Sequence, residues 1–167
     1  ARTSTGACSF MGILDSVGGV IGANARRAAL IIGLDCTHPD IEEFLEAKRN
    51  DDKIQSANLS ILYTDEFMKA VENGGEFVLS YELPASPPHK AEVIQKTIKA
   101  KDFFTKFCEV QHDFAEPGSL FIDRIRSHHL LAGYPGSEYH ISICNPCAEY
   151  MGNAYNSCNL GSLNLYN

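Results

Sequence analysis

Residues 28–35 read AALIIGLD, an almost continuous apolar run with loop-forming residues on both sides. Such a run is typical of a strand buried on both faces of a parallel sheet. A helix is predicted to begin directly afterwards, because Pro39 suits the first turn and the acidic residues Asp40, Glu42 and Glu43 suit its positive end. A buried strand that leads into a helix predicts an α/β protein.

Further elements of both kinds are predicted along the chain from hydrophobic periodicity and from capping residues. The predicted strands cover residues 28–35, 58–62, 77–83, 119–122 and 160–166, and the predicted helices cover residues 9–22, 39–48, 64–73 and 89–112. Cys108 lies on the apolar stripe of the last helix and is interpreted as a small buried residue.

Composition excludes several classes of function. The 167 residues are 44% hydrophobic, which is enough for a sizeable core, and a net charge of −7 argues against a nucleic-acid-binding surface. The longest apolar run is too short to span a membrane, and no signal peptide is recognisable. The six cysteines lack the close, regular spacing of a disulfide framework, so reduced thiols in the cytoplasm are predicted.

Two neighbouring motifs, NPCAE at residues 145–149 and SCNLG at 157–161, contain the chemically active groups. If the first motif is extended, Asn145, Cys147 and Glu149 project to the same side, because strand side chains alternate. That surface would combine an amide, a thiol and a carboxylate. Cys158 follows after a short polar turn and is a candidate second thiol of a redox couple.

Cys144 and Cys147 also have the C-x-x-C spacing of zinc knuckles and thioredoxin-like pairs. A zinc site usually needs a second ligand pair, whereas Cys158 stands alone. Adjacent His128 and His129 diverge on a helix or a strand and are not predicted to share an ion. A thioredoxin motif would lie where a strand enters a helix, while this segment is predicted to be a loop. The pattern favours redox or radical thiol chemistry and leaves metal binding open.

Two polar segments are predicted to be exposed loops. Residues 22–27 end in Arg26 and Arg27, which can hold a phosphate, although a solvated turn is favoured from these residues alone. Residues 49–56 are charged and without apolar periodicity, which is typical of a surface loop.

The residues NPCAEYM at 145–151 and SCNLGSLNL at 157–165 closely resemble the active-site region of ribonucleotide reductase large subunits. The Asn-Pro-Cys opening and the short interval between the cysteines are most similar to the class II, adenosylcobalamin-dependent enzymes. Five further motifs occur in the order found in that family, namely SFM at 9–11, RRAA at 26–29, HPDIEEF at 38–44, NLS at 58–60 and PGSLF at 117–121.

The resemblance implies part of the ten-stranded α/β barrel of these reductases. Residues 1–167 would then form a single partial domain, incomplete at both ends, that depends on the remainder of the reductase chain. We expect such a segment to be inactive by itself and to expose an unpaired strand edge. The implied partners also include a ribonucleotide substrate, a nucleotide effector and a second copy of the subunit in a homodimer.

The resemblance also implies a division of labour among the motif residues. Adenosylcobalamin would generate a radical on Cys147, which would take the 3'-hydrogen of a ribonucleotide. Glu149 would act as general base on the 3'-hydroxyl, and Asn145 would bind the sugar hydroxyls. Cys158 would be one thiol of the pair that reduces the 2'-position, with its partner upstream of residue 1 and thioredoxin or a similar protein as the source of reducing thiols.

Substrate and effector contacts are implied elsewhere in the chain. Asn58 and Ser60 would lie near the bound substrate. The residues of the two implied effector loops are Arg26 and Arg27 in the first and Arg49, Asp51 and Lys53 in the second.

Two other functions remain open from the residues alone. A zinc-binding module would use Cys144, Cys147, Cys158 and one histidine. A non-catalytic structural segment would keep its fold when Cys147 is replaced and would bind neither nucleotide nor cobalamin.

Overall fold

The computed structural model of the chain describes residues 5–23, 26–50, 54–87, 89–132, 134 and 139–166. The helices are α1 (Ala7–Val20), α2 (Ile41–Asn50), α3 (Asp65–Asn73), α4 (Ala100–Phe114) and α5 (Ile122–His128). The strands are β1 (Gly22–Ala23), β2 (Arg26–Arg27), β3 (Leu30–Asp35), β4 (Ala57–Tyr63), β5 (Glu76–Leu83), β6 (Glu92–Lys99), β7 (Gly118–Phe121), β8 (Ile141–Cys144) and β9 (Met151–Asn153).

A three-stranded parallel sheet, in the order β3-β4-β7, forms the centre of the fold. The central strand β4 is buried at every residue except Asn58, as expected for a strand paired on both sides and covered by helices. The predicted α/β architecture with parallel strands is confirmed. The prediction of complete burial for the β3 run was wrong, because β3 lies at the edge of this sheet and is only half-buried.

The two faces of β4 contribute to different apolar clusters. Leu59, Ile61 and Tyr63 belong to the larger core, which also contains buried residues of α2, α3 and α4. Leu62 points to the other face and packs in a second cluster that includes residues of β7, α5 and β8. Because strand side chains alternate, Asn58 and Ser60 lie on the same face as Leu62.

Local sequence signals explain where α2 begins and where α3 begins and ends. The Thr64 hydroxyl accepts a hydrogen bond of 3.2 Å from the backbone N–H of Phe67, and Gly74 ends α3 in the left-handed conformation, as predicted. Before α2, His38 Nδ1 accepts a hydrogen bond of 3.0 Å from the backbone N–H of Asp40. His38 therefore stabilises a turn, and the helix begins at Ile41, slightly later than predicted.

The predicted helix over residues 89–112 was wrong in its first half. Glu92–Lys99 is instead strand β6, which pairs antiparallel with β5 over eight residues. The β-branched residues Val93, Ile94, Thr97 and Ile98 favour a strand, and the helix begins only at Ala100. Cys108 is exposed on α4 and is not the buried residue expected, since Phe103, Phe107 and Val110 form the buried stripe.

Three predicted segments also differ from expectation. Within the predicted loop 22–27, residues 22–23 and 26–27 form the short antiparallel pair β1–β2, and residues 24–25 lie outside the described part. The predicted loop 49–56 begins later than expected, because α2 continues to Asn50, and residues 51–53 lie outside the described part. Gln55 and Ser56 are exposed outside any helix or strand, as predicted, whereas Ile54 is buried. Residues 160–166 form no strand: among the described residues they have no strand partner, and their leucines are about 90% exposed. Among the described residues, no helix is long and apolar enough to cross a bilayer.

Candidate active site

The β8–β9 hairpin holds three of the predicted site residues in its connecting turn. The backbone N–H of Ala148 donates to the carbonyl of Asn145 at 2.9 Å, and Asn145 N–H donates to Tyr150 O at 3.1 Å. Ala148 has a φ of 60°, in the left-handed region. The prediction of a loop at residues 145–149 is therefore confirmed, and the extended alternative does not apply, because this hydrogen-bonded turn reverses the chain.

The turn exposes the thiol and the carboxylate while it anchors the amide. Asn145 Oδ1 accepts a hydrogen bond of 3.0 Å from the backbone N–H of Tyr150, and Asn145 is half-buried. Cys147 and Glu149 are both exposed. The Asn145 amide thus has its oxygen engaged within the turn, which leaves its NH2 group to donate to a ligand, next to a nucleophilic sulfur and an acid/base group.

The two cysteines of the C-x-x-C segment lie in different environments. Cys144 is 4% exposed in the second apolar cluster, and burial is the main cause that raises the pKa of its thiol. Cys147, three residues later, is exposed at the turn. Within the described part of the chain, no three His, Cys, Asp or Glu side chains are placed to hold a metal ion.

Cys158 lies beyond the hairpin in a segment without regular structure. Asn156 connects that segment to the hairpin, because its Nδ2 donates to Tyr150 Oη and to Asn153 Oδ1, each at 2.8 Å. Cys158 itself is exposed, and all six cysteines are free thiols. The structure therefore contains no disulfide between Cys147 and Cys158.

The hairpin packs on the same face of the sheet to which Asn58 and Ser60 belong. A Cβ added at Gly33 of β3 would lie 2.5 Å from Ile143 Cδ1 and 2.8 Å from Leu62 Cδ1. Only a residue without a side chain allows β8 to approach β3 and β4 this closely. The fold therefore brings the turn-bearing hairpin and the candidate substrate residues onto one surface of the sheet.

Asn58 lies at the start of β4 and is held by a residue that the sequence did not single out. Its Nδ2 donates to Glu116 Oε1 at 2.7 Å, and the backbone N–H of Leu59 donates to Glu116 Oε2 at 3.2 Å. Lys48 Nζ lies 2.6 Å from the same Oε2. The only signal for Glu116 in the sequence was its place directly before the PGSLF motif, beside the turn predicted at Pro117 and Gly118.

Ser60 of β4 is buried, with 7% of its surface exposed, at the first residue pair between β4 and β7. Gly118 is its partner in the register, and a Cβ there would lie 2.9 Å from Ser60 Oγ. Glycine at this position therefore leaves room for the hydroxyl.

Asp15 on α1 is a second residue that sequence reasoning missed. Its buried carboxylate accepts hydrogen bonds from the backbone N–H groups of Gln55, Ser56 and Ala57, at 3.0, 2.7 and 2.6 Å. Burial by itself would raise the pKa of Asp15, but these donors and nearby Lys48 outweigh it, so the pKa is lowered. A lone acid within an apolar helix was the signal available in the sequence.

The candidate effector residues are only partly described. Arg26 and Arg27 form strand β2. Arg49, near the end of α2, has Nη2 at 3.4 Å from Asp113 Oδ2 and Nη1 at 4.0 Å from Glu46 Oε1. Asp51 and Lys53 lie outside the described residues.

The adjacent histidines make separate local hydrogen bonds. His128 Nδ1 bonds to the carbonyl of Arg124, and His129 Nδ1 accepts from the backbone N–H of Leu131.

Comparison with known proteins gives a consistent family. Residues 1–167 match the family model described as ribonucleotide reductase, barrel domain. The chain is 37% identical to a vitamin B12-dependent ribonucleotide reductase of Streptomyces avermitilis, over 97% of this chain and 18% of that protein. It is 34% identical to a vitamin B12-dependent ribonucleoside-diphosphate reductase of Mycobacterium tuberculosis, over 98% and 22%.

A protein with the same name in Thermoplasma acidophilum is 32% identical, over 97% of this chain and 20% of that protein. The chain thus spans about a fifth of the length of these curated relatives. The resemblance noted in the motifs is confirmed by matches that cover nearly every residue. The chain belongs to the ribonucleotide reductase barrel-domain family.

Proposed function

We propose that this chain is the part of a longer, B12-dependent reductase that converts ribonucleotides to 2'-deoxyribonucleotides. The observation that carries the proposal is the packing of the β8–β9 hairpin on the sheet face of Asn58 and Ser60. An amide, a thiol and a carboxylate in one turn, beside a strand with further polar side chains, suit radical chemistry on a sugar. The names of the relatives support the same activity.

Each side chain of the turn has a role that suits its chemistry. The Cys147 sulfur takes the 3'-hydrogen as a thiyl radical and returns it later, a reversible step that sulfur performs well. Glu149 accepts the proton of the 3'-hydroxyl as general base. Asn145 donates its amide NH2 to the sugar hydroxyls, while its oxygen remains engaged with Tyr150.

When bound, adenosylcobalamin supplies the radical that oxidises the thiol. The exposed Cys147 fits that requirement, because its sulfur is accessible at the tip of a turn, whereas neighbouring Cys144 is buried. Cys147 is the residue of this chain that would meet the cofactor.

The 2'-hydroxyl is protonated and leaves as water, and two thiols supply the hydrogen and electrons that replace it and are oxidised to a disulfide. Cys158 provides one of these thiols, and its partner thiol belongs to another part of the reductase. Thioredoxin or a similar dithiol protein then restores the pair. Asn58 and Ser60 contact the substrate. Nucleotide effectors act through two loops, one with Arg26 and Arg27 and the other with Arg49, Asp51 and Lys53. The reductase is a homodimer and is located in the cytoplasm.

The decisive test replaces Cys147 by serine in the full-length chain and measures deoxyribonucleotide formation with adenosylcobalamin and dithiothreitol. We expect turnover to fall at least about a thousandfold, because a hydroxyl does not replace the thiol as hydrogen abstractor. Cys108→Ser, at an exposed cysteine on α4, is the matched control and should retain activity. Equal activity of the Cys147→Ser and Cys108→Ser enzymes would overturn the proposal.

The 167-residue chain alone should show no turnover in the same assay. Turnover by this segment without any other polypeptide would contradict its assignment as a partial domain. Stoichiometric zinc that is lost on chelation together with the fold would instead support the zinc-binding function.

A further inference from the structure

Five consecutive residues at the start of β4 are held by two carboxylates. Asp15 accepts the backbone N–H groups of residues 55–57. Glu116 accepts the side-chain amide of Asn58 and the backbone N–H of Leu59. The two acids differ in what they bind: in this segment Asp15 accepts only from backbone N–H groups, whereas Glu116 also accepts from the exposed side chain of Asn58.

Glu116 determines which way the Asn58 amide faces. An ionised carboxylate only accepts hydrogen bonds, so Asn58 must present its NH2 group to Glu116. Lys48 fixes the carboxylate from the other side, with Nζ 2.6 Å from Oε2. The amide oxygen of Asn58 is consequently turned away from Glu116, on a side chain that is exposed on the hairpin-bearing face of the sheet.

We propose that Glu116 is a positioning residue that presents Asn58 Oδ1 as a hydrogen-bond acceptor to the bound nucleotide. The inference rests on the proposed function, because it takes Asn58 as a nucleotide contact. The ligand group must be a donor, either a ribose hydroxyl or an N–H of the base. Asn58 would select for that donor, since an acceptor at the same place would face the amide oxygen without a hydrogen bond.

This role is separable from a purely structural one. Asp15 holds the backbone of residues 55–57 without help from Glu116, so the entry into β4 remains anchored when Glu116 is changed. Glutamine at residue 116 keeps the size of the side chain but can both donate and accept, so it no longer enforces one orientation of Asn58. Glu116→Gln should therefore alter nucleotide binding and leave hydrogen-exchange protection of residues 55–57 unchanged.

The test is a double-mutant cycle in the full-length chain, read by calorimetric titration with cytidine 5'-diphosphate and cytidine 5'-triphosphate. We expect Glu116→Gln and Asn58→Ala each to weaken affinity about threefold to tenfold. The double variant should bind no more weakly than Asn58→Ala alone, because Glu116 acts through Asn58. Glu109→Gln, at an exposed acid of α4, makes the same chemical change away from the site and should bind as the wild type does.

An equal loss caused by Glu116→Gln with and without Asn58 would overturn the positioning role, as would unchanged affinity. Titration with the 2'-deoxy and 3'-deoxy nucleotides identifies the donor: if it is a ribose hydroxyl, Asn58→Ala should no longer matter for the analogue that lacks it. If the variant still weakens both analogues, the donor belongs to the base.

Turnover separates this inference from the proposed function. Glu116-dependent nucleotide binding without Cys147-dependent turnover would overturn the proposed function and support the inference. Cys147-dependent turnover, with nucleotide binding unchanged by Glu116→Gln, would support the proposed function and overturn the inference. A full-length chain that binds neither nucleotide would overturn both.

Discussion

Two segments of the chain share an Asn-Leu start and further spaced leucines, yet they have different structures. Strand β4 reads ANLSILY, and residues 158–166 read CNLGSLNLY. The first is paired on both sides and is buried at every residue except Asn58. The second has no regular structure, and its three leucines are each about 90% exposed.

The difference lies in what surrounds each segment. β4 has parallel partners in β3 and β7, and Asp15 and Glu116 satisfy the N–H groups at its start. Among the described residues, no strand pairs with residues 158–166. A short segment with spaced leucines therefore becomes a strand only where neighbouring strands and hydrogen-bond acceptors are supplied. We call the paired strands β3, β4 and β7, which hold Asn58 and Ser60, the anchored part of the chain. The exposed part is the turn at residues 145–149 together with residues 158–166, which hold Cys147 and Cys158.

The largest expected effect is a contrast in thiol reactivity between the two parts. Cys36 follows β3, is fully buried, and has its pKa raised mainly by burial, while Cys158 is exposed. Alkylation of the 167-residue chain by N-ethylmaleimide at neutral pH should be at least about a thousandfold slower at Cys36, because a core thiol reacts only after local opening. The rates are measured by mass spectrometry of digested samples.

Cys144 and Cys147 sharpen the same contrast within four residues. Cys144 should be protected like Cys36, and Cys147 should react like Cys158. Comparable rates at all four thiols would show that the anchored part and the exposed part do not differ in solution.

A second prediction tests whether the hairpin belongs to the anchored part. Gly33→Val places side-chain atoms where Ile143 and Leu62 already meet, and such overpacking costs about 1–3 kcal/mol. We expect faster hydrogen exchange in β8 and β9, with partial recovery when Ile143→Ala is added. Gly12→Ala is the control, since a Cβ there meets no atom within 4 Å. Unchanged exchange in the hairpin would mean that it does not pack on β3.

The parts of the fold that were predictable depend on local signals. The apolar run of β3, the Thr64 cap and the Gly74 stop each determine their element through nearby residues. Residues 92–99 were wrongly predicted as a helix because their apolar spacing fits either period, and pairing with β5 decided the outcome.

The candidate site shows the same division. The motif around Cys147 predicted both a loop and thiol chemistry from sequence, yet the particular turn depends on backbone hydrogen bonds that no residue pattern specified. Asp15 and Glu116 escaped notice because their partners lie 40 or more residues away in the chain, at Gln55–Ala57 and at Asn58. Long-range acceptors of this kind are found only once the strands are in register.

The last prediction concerns the pH dependence of the segment that leads into β4. The pKa of Asp15 is lowered in the folded chain, so its contribution to stability is fully present above the unfolded value of about 3.9 and is lost as the pH falls through the folded value. Protection factors of the amides of residues 55–57 should therefore decline on acidification below about pH 4.

Asp15→Asn should lower the opening free energy of these amides by about 1–3 kcal/mol at neutral pH and reduce this acid dependence. Asp102→Asn, at an exposed acid of α4, should leave both unchanged. If the wild-type and Asp15→Asn chains gave the same protection at every pH, the start of β4 would be held by strand pairing alone, and its contrast with residues 158–166 would rest on β3 and β7 without the carboxylate.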